Sequence, residues 1–200
     1  VDAIAAHAHF DGTQWSTEDA HIDIGKGTLA LQGRFAPASQ SIALKAQVER
    51  VDPAQLHTAL AAAPLSGRAT MEGSAQDLQF ELQLAASGAR SARKSAPATL
   101  RIDRVAARGT WKEGVVRLPQ ADIEALQAQV KATDVQVATL PALAISGKVQ
   151  AKLPGTSARA NGKLAARLGA GTLQVQAASA EQTLAWLRTL PGLTQLAPGF

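Results

Sequence analysis

The chain has 200 residues, enough for one elongated domain or two small ones, and no cysteine, which excludes a disulfide framework and any thiolate metal site. Aromatic residues make up only 4%, with no tyrosine, so an aromatic-filled core or a sugar-stacking surface is not expected. The net charge is +4, but Lys and Arg read as scattered, with Arg90-Ser91-Ala92-Arg93-Lys94 the one cluster, taken as a solvated loop; no nucleic-acid partner is expected.

Ile4, Ala6, Ala8 and Phe10 alternate with Ala5, His7 and His9, which predicts a first strand. Asp11-Gly12 signals a turn. Residues 20–24 read as a strand, Gly25-Lys26-Gly27 as a tight hairpin loop, and residues 28–35 as the partner strand. Residues 37–40 break the pattern. Residues 41–50 resume it, with Ile42, Leu44, Ala46 and Val48 on one face and Lys45, Gln47 and Glu49 on the other.

A short helix is predicted over residues 53–63. Asp52 is a natural N-cap, Pro53 suits the first helical position, and Pro64 ends the segment. Leu56 and Leu60 would share a face. The sheet pattern then returns, and it is cleanest here: Leu78, Phe80, Leu82 and Leu84 point one way, Gln79, Glu81 and Gln83 the other. Ahead of it stands Leu65-Ser66-Gly67-Arg68-Ala69. The same unit occurs as Leu31-Gln32-Gly33-Arg34-Phe35 and Ile145-Ser146-Gly147-Lys148-Val149, and loosely as Ala160-Asn161-Gly162-Lys163-Leu164. It reads as a degenerate repeat built on a strand-turn device, with each glycine at a turn.

Residues 87–97 are polar and basic and read as a loop. Residues 98–108 and 109–112 read as extended, Glu113-Gly114 as a turn and residues 115–118 as a short strand. Residues 122–133 fit strand alternation once a one-residue bulge is allowed near Leu126. Residues 134–140, 142–153, 158–168 and 171–178 read as further strands. A second helix is predicted over residues 180–190, with Ser179 and Gln182 as a capping box and Pro191-Gly192 as its end.

The count is about a dozen strands and two short helices, with no βαβ alternation, which argues against an α/β enzyme. Such strands can form a barrel, a sandwich or a solenoid. The narrow, Ala-rich apolar faces favour a single mainly β, elongated open groove over residues 1–200. A dozen strands at about 4.8 Å spacing would extend roughly 55 Å. A curled, unclosed sheet of this kind makes an apolar trough. It suits an acyl chain, since each buried CH₂ is worth roughly 0.8 kcal/mol without any specific site. The expected lining is Leu29, Leu31, Ile42, Leu44, Val48, Leu78, Phe80, Leu82, Leu84, Leu100, Ile102, Val149, Leu164, Leu173 and Val175.

The string Val51-Asp52-Pro53-Ala54-Gln55-Leu56, the following Pro64-Leu65-Ser66-Gly67-Arg68-Ala69-Thr70-Met71-Glu72-Gly73-Ser74, and the alternating strand after it resemble the TamB group of AsmA-like proteins. The resemblance touches about three quarters of the chain and lies in degenerate motifs. It implies a taco-shaped β-groove in the periplasm, part of a protein anchored in the bacterial inner membrane. It also implies phospholipid transport to the outer membrane, pairing with an outer-membrane barrel of the Omp85 type, and a linked role in autotransporter assembly. Val1-Asp2-Ala3 lacks the basic start and apolar core of a signal peptide, and neither the family's N-terminal anchor nor its C-terminal domain is read in the chain, so a middle segment of a longer protein is expected, with the barrel contacts elsewhere. The alternative is a β-sheet scaffold that binds outer-membrane strands by β-augmentation.

His7 and His9, with His21, Asp11 and Asp23, have a spacing that can hold zinc, but exposed histidines on a wet strand face are the simpler reading, and neither a metal nor another cofactor is expected. The carboxylates stand singly, and each glycine is isolated, so neither a catalytic constellation nor a phosphate loop is expected. Trp186, with Leu184, Leu187 and Leu190, is expected to seat the second helix across the groove mouth or on a strand block.

Overall fold

A computed structural model describes residues 2–55, 60–87, 101–139, 143–165, 168–188 and 190. Twelve strands pair antiparallel with their sequence neighbours in one sheet. They are β1 (Ala3–Phe10), β2 (Trp15–Ile24), β3 (Gly27–Ala36), β4 (Ser41–Val51), β5 (Leu65–Ser74), β6 (Asp77–Ala86), β7 (Ile102–Lys112), β8 (Val115–Ala125), β9 (Ala128–Ala138), β10 (Ala144–Leu153), β11 (Thr156–Ala165) and β12 (Leu168–Ala177), followed by helix α1 (Ala180–Leu187). β1 and β12 lie at opposite ends of the strand order, so the sheet is open and unclosed, as the patterning predicts.

In a meander the connections alternate between two rims. The connections after β4 and β6 and the helix after β12 all leave from the same rim. The described parts of the first, residues 52–55 and 60–64, lie on that rim at β2–β5. There Ile24, Val51, Ala63 and Leu65 are buried together with Gly27 and Pro53. Apart from these, Ala121 is the one buried hydrophobic among the described residues. A sheet this poor in core is stabilised chiefly by its hydrogen-bonded ladder and by same-face neighbours.

The predicted helix over residues 53–63 is corrected. Asp52 does cap, its Oδ1 accepting from the Ala54 N–H at 3.0 Å, but among the described residues Pro53–Gln55 form a 3₁₀ turn and residues 60–63 are not helical. Residues 56–59, including Leu56, lie outside the described residues, and Leu60 sits in an isolated bridge. Burial of Ala63 and Leu65 against the rim overrides the helix propensity of the alanines.

Two further corrections concern turns. The expected bulge near Leu126 is a full hairpin, since Leu126 and Gln127 both have positive φ, 52° and 65°, and reverse β8 into β9. The piece 115–118 and residues 134–138 of the piece 134–140 are therefore parts of these two longer strands, with Pro119 inside β8 and a kink at Asp134, φ 54°. Likewise 98–108 and 109–112 belong to one strand, β7, as far as the described residues reach.

The repeated glycines Gly33, Gly67, Gly147 and Gly162 lie inside β3, β5, β10 and β11, not at turns. Gly67 shows why a side chain is excluded: a Cβ there would stand 1.9 Å from the Gln83 carbonyl oxygen on β6. Close strand approach, not chain reversal, is what the motif provides.

α1 begins as predicted, with Ser179 Oγ accepting from the Gln182 N–H at 3.2 Å, and ends at Leu187. The loop expected over residues 87–97 lies, beyond Ser87, outside the described residues.

A candidate apolar binding face

Residues directly opposite one another in a ladder share a face. The register therefore traces one apolar lane through the whole sheet. It runs from Ile4 to Ile22, then Leu29, Val48, Gly67, Leu84, Val105, Ile123, Val130, Ala151, Ala158 and Val175. A second row passes through Leu31, Ala46, Ala69, Leu82, Ala107, Ala121, Ala132, Val149, Ala160 and Leu173.

Every expected lining residue that is described falls on this face. Ile42, Leu44, Val48, Leu29 and Leu31 are joined through β3 and β4; Leu78, Phe80, Leu82 and Leu84 through β6; Leu164, Leu173 and Val175 through β11 and β12. Ile102 reaches it because a register shift between Ile102 and Arg104 pairs it with Ala125. A similar shift brings Val51 opposite Leu65. Leu100 lies outside the described residues.

The opposite face is polar. Gln79, Glu81 and Gln83 are exposed there, while Leu78, Phe80, Leu82 and Leu84 are half-buried. Shallow depressions of about 460 and 480 Å³ open on this polar face, among Lys45, Gln47, Arg68, Thr70, Glu81 and Arg108. On the apolar face a depression of about 200 Å³ lies among Ala8, Trp15, Gly33, Phe35, Ile42 and Leu44. The Phe10 and Trp15 rings meet at its edge, centroids 4.9 Å apart. Thr17, opposite Gly33, has its Oγ1 buried without a hydrogen-bond partner.

Cover on the apolar face is uneven. Leu82 and its β6 companions are half-buried, but Leu164, Leu173 and Val175 are 62%, 70% and 58% exposed. The lane is thus bare at both ends of the strand order, Ile4 of β1 being 70% exposed as well.

α1 turns back across the strand ends rather than onto β12. Trp186 Nε1 donates to the Leu126 carbonyl at 2.7 Å, and Thr183 Oγ1 meets Thr156 Oγ1 at 2.6 Å and the Pro154 carbonyl at 3.2 Å. The helix so caps the rim of the β8–β11 block, one of the two places expected for it.

His7 and His21 each face Asp19, at 4.0 and 3.8 Å, on the wet side. Among the described residues no group of three or more His, Cys, Asp or Glu is placed to hold a metal. Asp11, in the β1–β2 turn, has its carboxyl held well below the usual range by the Gln14 N–H, then by the Thr13 hydroxyl and N–H.

The reading of Lys and Arg as scattered is also corrected. Residues 2–24 contain Asp2, Asp11, Glu18, Asp19 and Asp23 and no Lys or Arg. β10, β11 and β12 contain Lys148, Lys152, Arg159 and Lys163 and no Asp or Glu. Summing charge over each end of the chain, rather than looking for clusters, reveals this. No helix among the described residues is long and apolar enough to cross a membrane. The chain matches no family model, no curated protein and no solved structure.

Proposed function

We propose that this chain is a segment of a lipid-carrying β-groove whose apolar face shields the acyl chains of phospholipid. The observation that supports it is the continuous apolar lane across all twelve strands. Ten buried CH₂ groups contribute about 8 kcal/mol, so collective contact can hold a lipid without a specific pocket. The small residues along the second row, Ala69 and Ala107 beside Leu82, leave an even surface on which a chain can slide.

Together with the TamB-like texture of the sequence, this supports reading the segment as part of a periplasmic bridge between inner and outer membranes. Its anchor and its Omp85-type barrel partner would be met elsewhere in the protein, with a linked role in outer-membrane protein assembly. A second reading is a scaffold that pairs with client strands by β-augmentation; the lane supports the first, because it involves every strand.

The test is Leu82→Asp. Leu82 is half-buried between small neighbours, so the sheet should survive at a cost of about 1–3 kcal/mol. Binding of a fluorescent phospholipid should fall at least tenfold while far-ultraviolet circular dichroism keeps its β signal. Undiminished lipid binding by a folded Leu82→Asp protein would contradict the proposal.

A further inference from the structure

We propose that the polar face of β10 and β11 is a docking stripe for an extended acidic peptide segment of a partner protein, one whose carboxylates stand at alternate residues. The stripe lies on the face opposite the apolar lane, so it stands apart from whatever the lane carries.

Four cations lie on that face, Lys148 and Lys152 of β10 and Arg159 and Lys163 of β11, all exposed. The register sets them out in single file. Lys152 is opposite Ser157, Arg159 opposite Gln150, Lys148 opposite Asn161 and Lys163 opposite Ser146. Each level along the strand pair thus holds one cation and one uncharged hydrogen-bonding side chain, and the cation changes strand at every level. Successive levels are two residues, or about 6.7 Å, apart, so the zigzag runs about 20 Å along the strands.

Neither β10 nor β11 contains Asp or Glu, whereas each adjacent strand pair from β2–β3 to β8–β9 carries both signs. Lys148 has Asp134 of β9 at 3.0 Å, and Lys152, Arg159 and Lys163 make no ion pair among the described residues. On β9 the facing Lys131 is held by Asp122 at 3.9 Å, and on β12 the facing Thr172, Gln174 and Gln176 are uncharged. β10 and β11 are each paired on both sides, so the stripe lies within the sheet and does not rest on either outer edge.

Charge complementarity asks for an anionic partner, and the layout narrows which one. A single file one strand pair wide fits a chain lying along the strands rather than a broad surface. Side chains on one side of an extended peptide recur every two residues, the same about 6.7 Å as the cations, because the stripe is itself built on extended chain. The uncharged member of each level, Ser157, Gln150, Asn161 or Ser146, can both donate and accept. A peptide backbone offers it a donor and an acceptor; the backbone of a phosphodiester chain offers acceptors alone. Exposed charges contribute little one by one, so binding rests on all four levels meeting their carboxylates in register.

The test is fluorescence anisotropy with a labelled peptide that repeats Thr-Glu four times, against a second peptide of the same composition with its four Glu in one block. At low salt the unsubstituted chain should bind the alternating peptide at least about fivefold more tightly than the block peptide. Arg159→Gln with Gln150→Lys keeps the net charge and moves one cation across the ladder. It should weaken binding of the alternating peptide about fivefold. Lys45→Gln, on the same face at β4, should leave binding unchanged. All three positions are exposed, and circular dichroism checks that each variant keeps its sheet. Equal binding of the two peptides, indifference to the moved cation, or a loss with Lys45→Gln as large as with the moved cation would overturn the proposal. So would tighter binding of a thymidine octanucleotide, or of phosphatidylglycerol vesicles, than of the alternating peptide.

Discussion

The indole Nε1 of Trp186 donates to the backbone carbonyl of Leu126 at 2.7 Å, tying α1 to the β8–β9 turn across sixty residues of sequence. The carbonyl belongs to a tight turn, so it points outward from the rim and is available to the helix. This contact decides where the helix sits. Trp186→Phe keeps most of the apolar body and removes the donor. It should cost about 1 kcal/mol locally. Amide exchange in α1 should speed up about fivefold, with exchange in β5 and β6 unchanged.

The turn itself offers a test in the opposite direction. Leu126 and Gln127 both occupy the left-handed region, at φ 52° and 65°, where Asn and Gly are at ease and Leu and Gln are not. Replacing the pair by Asn-Gly should stabilise the sheet by about 0.5–1 kcal/mol and leave the backbone carbonyl at position 126 in place for Trp186. The urea midpoint checks this.

Asp11 supplies a pH dependence with a definite sign. Its folded pKa is depressed, by the Gln14 N–H first and the Thr13 hydroxyl next. Its contribution to the β1–β2 turn is therefore fully present above the unfolded value of about 3.9 and is lost as pH falls toward the folded value. Exchange at the Thr13 and Gln14 amides should be more protected, relative to the intrinsic rate, at pH 5 than at pH 2. Asp11→Asn should abolish that difference.

Most of the sheet was legible because alternation is a strong signal wherever one face is apolar. Leu78 to Leu84 gave both the strand and the face, and the same reasoning placed Ile42, Leu44 and Val48 beside them. The turn at Leu126-Gln127 was illegible because it lacks the residues that such a turn prefers, so continued alternation read as one strand with a bulge. The Asp52-Pro53 start looked helical because local signals there are real, and they do form a turn. What holds residues 60–63 out of a helix is the non-local burial of Ala63 and Leu65, which no local pattern encodes. The glycines were misread for a related reason. Gly67 is required by the approach of Gln83 on the next strand, a contact between positions sixteen apart in sequence.

The most direct test of the lipid reading uses two adjacent positions. Leu82 stands on the apolar face between Ala69 and Ala107, and Gln83 on the polar face between Arg68 and Ala106. A photo-reactive amino acid is placed at each in turn, in cells that make the protein, and the cross-linked products are identified. The account predicts phospholipid captured at position 82 and not at position 83. Capture of protein at both positions, or no lipid at position 82 in a stably folded protein, would contradict it.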